Sequence, residues 1–138
     1  MNRVFRRQRE EGQTAIEFAL AMPFLLMFIL FLIDLALLGF SVVSVTNAVR
    51  EGARCGVVGG SDAAIIERVE SNAGFAGVTA SVEPRDGTIG SDITVRAEAE
   101  YDFITPVSLV PGISGSISYS RESVMRMETA SPYEAECG

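Results

Sequence analysis

The sequence predicts an α+β fold: a long N-terminal hydrophobic helix, transmembrane in its first part, followed by a small domain with a short helix on a three-stranded antiparallel sheet. Three observations carry this. From Phe18 to Val45 the only charged residue is Asp34, a run longer than the roughly 20 helical residues a bilayer core requires. Ser61-Asp62 followed by Ile65, Val69 and Ala73 places an N-cap before apolar residues at helical spacing. Ile93 to Phe103 alternates apolar and polar residues without a break, the pattern of a strand that buries one face.

These observations divide the chain into an Arg-rich leader (1–12), a long helix (13–55) that crosses a membrane in its first part, and a small acidic module (56–138). The formal charge of −7 is unevenly placed. Arg3, Arg6, Arg7 and Arg9 outweigh Glu10 and Glu11 in the leader, whereas the module is strongly acidic. An acidic module repels phosphate backbones, so nucleic acid is not an expected partner.

The apolar run is about twice the length of a signal-peptide core, and no A-x-A site follows it, so the helix is expected to be retained. The Arg cluster ahead of it sets the N-terminus in the cytoplasm and the module on the far side. Glu17 sits just before the run begins in earnest. Either it lies at headgroup level, favoured by the nearby helix N-terminus, or cutting after Gly12 gives Gln13 a new α-amine one turn away, which in a neighbouring subunit can pair with Glu17. Pro23 is a tolerated bend in a membrane helix or a point of melting during packing. Asp34 faces hydrocarbon unless it is paired or turned into a protein interface. Beyond Gly39 the helix reads as amphipathic, with Phe40, Val43 and Ala48 set against Ser41, Ser44, Asn47 and Arg50. It is expected to run to about Arg54 and to stand beyond the membrane as a stalk.

In the module, Gly56, Gly59 and Gly60 break the helix, and Gly74 closes the short one. Val78, Ala80 and Val82 form one face of a strand that ends at Pro84, and Arg85-Asp86-Gly87 is turn chemistry. The residues 105–112 read as a loop that caps the core or exposes an apolar patch. Residues 113–127 read as a third strand. Ile117, Tyr119, Met125 and Met127 are in phase along it, and Arg121 and Ser123 point to a bulge or an edge position. The last ten residues read as irregular. The only cysteines are Cys55 and Cys137. In an oxidising compartment they can pair, and their placement at the two ends of the module favours this; two unpaired thiols is the alternative.

Catalysis is not expected. The chain has no His, and without His or Lys a serine triad lacks its base. Glu98 and Glu100 fit a wet strand face better than a glycosidase pair. Asp86 and Asp92 match no calcium loop, and the glycine-rich segment 56–60 lacks the lysine of a phosphate loop. No cofactor, metal or small-molecule substrate is implied.

Gly12, then Gln13-Thr14-Ala15-Ile16-Glu17-Phe18 and an apolar helix, resembles the class III leader of type IV pilin-like proteins. With Arg50-Glu51-Gly52-Ala53-Arg54 after the helix, the chain is similar to the TadE-like family, minor pilins or pseudopilins of tight-adherence (Tad) pili. The resemblance implies cleavage between Gly12 and Gln13 by a prepilin peptidase, and assembly directed by Glu17 with Phe18. It also implies a non-enzymatic structural role in a type IVc-like pilus for adherence or secretion. The partners it implies are other major and minor pilins, the inner-membrane assembly platform and membrane lipid. The protein is then expected in the inner membrane as a single-pass chain with a periplasmic module, or built into an extracellular pilus. The alternative is an uncleaved single-pass protein that presents a periplasmic binding module; a membrane-anchored enzyme is the weakest reading.

Overall fold

The computed structural model describes residues 2–74, 77–106, 112 and 114–130, with side chains from Gln13 onward. It is α+β, as the residue pattern predicts. Helix α1 runs Asn2–Val57 and helix α2 runs Asp62–Asn72. They are followed by strands β1 (Gly77–Val82), β2 (Asp92–Asp102) and β3 (Ser116–Arg126). The sheet is an antiparallel meander in the order β1-β2-β3.

Helix α1 has 56 residues, about 84 Å at 1.5 Å per residue. It continues through Pro23. It ends three residues later than expected, for a local reason. Gly60 N–H donates to Cys55 O and Gly59 N–H to Gly56 O, both at 3.0 Å, while Gly59 takes a φ of 88°. This crossed pair of bonds satisfies the last carbonyls and requires a left-handed residue, which glycine supplies without strain. Ser61 then caps α2, its hydroxyl accepting from Ala64 N–H at 3.3 Å.

The core lies between the inner face of the sheet and two helices. The alternation of β2 buries Ile93, Val95, Ala97, Ala99 and Tyr101 and exposes Arg96, Glu98 and Glu100 between them, with Thr94 half-buried. Ile65 and Val69 of α2 and Ala73, which caps it, join them, with Val45, Ala48, Val49 and Ala53 of α1. The C-terminal half of α1 is therefore not a bare stalk. It is a core element of the module, so the core draws on residues from both sides of position 56. The face it buries also differs from the one its large apolar residues mark. Phe40 and Val43 are exposed, while Ser41, Val45, Ala48, Val49, Gly52, Ala53 and Gly56 are covered. Close approach selects glycine at two of these positions. A Cβ on Gly52 would collide with Val69 Cγ2, and one on Gly56 with Ile93 Cδ1.

No bulge interrupts β3. Its register with β2 is continuous from Asp92↔Arg126 to Asp102↔Ser116, through Ala97↔Arg121 and Val95↔Ser123. Arg121 and Ser123 are accommodated because β3 is an edge strand with an only partly covered inner face. After β3, Glu128 N–H donates to Val57 O at 3.1 Å and ties the chain to the end of α1.

Candidate functional site

Two parts of α1 carry features that packing alone does not require. One is its exposed N-terminal half. Every residue from Gln13 to Ile33 is exposed, and Asp34 is the first buried one. Phe18, Phe24 and Phe28 are more than half exposed. Apolar surface of this extent needs another phase or another chain to cover it. The helix has the length and composition of a membrane anchor. At its start, Gln13 Nε2 donates to Glu17 Oε1 at 3.2 Å, so these two residues sit one turn apart on the same face. Phe18 is exposed beside them. Gly12 lies within α1.

The other part is Asp34. Its carboxylate is fully buried, and the module supplies four donors to it. Tyr101 Oη reaches Oδ1 at 3.2 Å and Ile104 N–H reaches Oδ1 at 2.9 Å. Thr105 N–H donates to Oδ2 at 2.8 Å, and the Thr105 hydroxyl donates to the same oxygen. The geometry follows from β2. Its alternation turns Tyr101 inward, and the chain then bends so that two consecutive backbone N–H groups face the helix. Burial, and then the bond to Asp34, hold the Tyr101 phenol above its ordinary range. Phe103 packs edge-on against the Tyr101 ring, centroids 5.6 Å apart. Two turns further along α1, Ser41 Oγ and Tyr119 Oη share a 2.5 Å hydrogen bond. The sequence singles out Asp34 as anomalous; its partners, about seventy residues away, are found only in the fold.

The Arg50–Arg54 segment splits by chemistry. Gly52 and Ala53 are buried against α2 and the sheet, while Arg50 and Arg54 are exposed. Arg54 Nη1 pairs with Glu51 Oε2 at 3.2 Å on the solvent side. A depression along this face is lined by Phe40, Val43, Asn47, Arg50 and Arg54. Cys55 is buried and is not a free thiol. Cys137, its expected partner, lies outside the described residues, as do residues 107–111 of the expected loop 105–112. Among the described residues, no cluster of His, Cys, Asp or Glu has the makings of a metal site.

Residues 12–54 match the model of the family described as TadE-like protein. The match begins at Gly12, ends at Arg54 and contains both the exposed half of α1 and Asp34. It gives the chain a TadE-like N-terminal region. Neither a curated protein nor a solved structure matches the chain.

Proposed function

We propose that this TadE-like chain is a minor pilin or pseudopilin that primes or supports assembly of a Tad pilus, acting as a structural subunit and not as an enzyme. The observation that carries the reading is the family match over residues 12–54, which begins at the glycine expected to precede the cleavage site. A prepilin peptidase cuts between Gly12 and Gln13. The new α-ammonium of Gln13 then stands one turn from Glu17, on the same face in the uncut chain. Among subunits packed side by side, a carboxylate in apolar surroundings gains most by pairing with such an amine, which sets register. Phe18 and the exposed apolar residues after it pass from lipid to neighbouring pilin helices as the subunit leaves the inner membrane. Other pilins and the assembly platform are its partners, with the module on the periplasmic side. Arg50 and Arg54, exposed beyond the membrane, are available to those partners.

The test is mass spectrometry of the mature N-terminus. A chain that begins at Gln13 supports the reading. An intact Arg-rich leader on the assembled protein overturns it in favour of an uncleaved single-pass protein. Glu17→Ala should insert normally yet lose co-assembly with other pilins; undiminished co-assembly would remove the register role.

A further inference from the structure

The apolar run of α1 begins at Phe18, and the roughly 20 helical residues that fill a hydrocarbon core of about 30 Å, counted from there, end about one turn past Asp34. Burial by the module begins at Asp34. The module thus starts within about a turn of the level where the hydrocarbon core ends, with no spacer between them. Asp34 also fixes which part of the module lies at that level. Ile104 N–H is 2.9 Å from Asp34 Oδ1, so the Phe103–Pro106 bend sits at the depth of the membrane boundary. The side chain of Ile104 nevertheless points away from the core and is 63% exposed. Leu35, one residue past Asp34 on the helix, is 46% exposed.

We propose that the bend around Ile104 is a membrane seat: Ile104 inserts into the interfacial zone of the leaflet that α1 leaves at Asp34, and Leu35 flanks it. The occupant of this apolar surface is lipid. It is continuous with the apolar surface of the span, and the Asp34 bonds hold it there. The acidic charge of the module gives anionic headgroups no attraction, so the seat is apolar and insensitive to salt. It fixes the tilt of the module on the membrane and the depth at which the helix is held. The inference rests on the membrane placement of the apolar run that begins at Phe18 and not on cleavage or assembly.

The chain has no Trp, so single tryptophans report depth without background. The full chain is reconstituted in zwitterionic vesicles whose lipids carry bromine either near the headgroup or deep in the acyl chain. Three variants are compared: Phe28→Trp in mid-span, Ile104→Trp at the bend, and Val124→Trp. Val124 is 56% exposed and lies about 27 Å along β3 from the Asp102↔Ser116 end, at 3.4 Å per residue. The expected result is Phe28→Trp quenched most by deep bromine, Ile104→Trp blue-shifted and quenched most by shallow bromine, and Val124→Trp quenched by neither, unchanged in high salt. If Ile104→Trp behaves like Val124→Trp while Phe28→Trp is quenched, the seat is overturned and the span stands. If Phe28→Trp escapes quenching, the span fails and the seat with it.

Discussion

Removing the Asp34 carboxylate tests whether that side chain holds the module to the helix. In Asp34→Ala, Ile104 N–H and Thr105 N–H lose their acceptor. A buried unsatisfied N–H costs about 1–3 kcal/mol, and relief from holding a carboxylate out of water offsets part of the total. We expect closure of the 103–105 bend to weaken by about 2–4 kcal/mol. Asp34→Asn keeps one oxygen for one pair of donors, so its loss should be smaller. The assay is amide hydrogen exchange of the full chain in detergent or nanodiscs. At 1.4 kcal/mol per decade, exchange at Ile104 and Thr105 in the Ala variant should accelerate on the order of 100-fold. The amides of Val95 and Ala97, in the middle strand of the sheet, should stay protected. Unchanged exchange at Ile104 and Thr105 would refute the reasoning, because the bend would then hold itself without the carboxylate.

Three further outcomes follow from the packing. Burial and Asp34 raise the Tyr101 phenol above its ordinary 10.0, so above that pH the unfolded chain loses its proton first. Stability should fall as pH rises from there through the folded value, and Tyr101→Phe should flatten that decline in denaturant titrations. Gly52→Ala should destabilise by about 1–2 kcal/mol, since the χ1-stiff Val69 must yield. Gly39→Ala, with open space around it, should stabilise by about 0.5–1 kcal/mol; comparing the two midpoints checks both. A non-reducing peptide map of the exported protein should join the Cys55 and Cys137 peptides, a loop closure worth about 4–5 kcal/mol in the chain-entropy model. Both thiols alkylated without reduction would remove that bridge.

The legible parts of the fold were those where one residue type per position decides the outcome. The alternation of β2 marks its buried face, and Ser61 and Gly74 mark the ends of α2 through a hydroxyl cap and a φ of 79°. The buried face of α1 was not legible, because hydrophobic size points the wrong way there. Phe40 and Val43 are exposed while Ser41, Gly52 and Gly56 are buried alongside Val45 and Val49, because close approach at the two glycines leaves no room for a side chain. The purpose of Asp34 was half legible. A charge in an apolar run demands a partner, but two of its donors are main-chain N–H groups, which every non-proline residue carries and no sequence pattern marks.

The abrupt change at Asp34 bears on how one helix serves two environments. A helix apolar all round suits lipid, and a helix with one small-residue stripe suits a sheet. α1 is the first kind to Ile33 and the second from Ser41 to Gly56. Something must mark the change, because apolar residues on both sides would let the helix slide relative to the membrane at little cost. A carboxylate that finds its donors only in the module does this. Moving Asp34 toward lipid breaks all four bonds, and moving the module away strands two main-chain donors. Stability and membrane register therefore depend on the same side chain. Lengthening the apolar segment by one turn ahead of Asp34 should then change the tilt or depth of the span while leaving exchange protection at Ile104 and Thr105 intact.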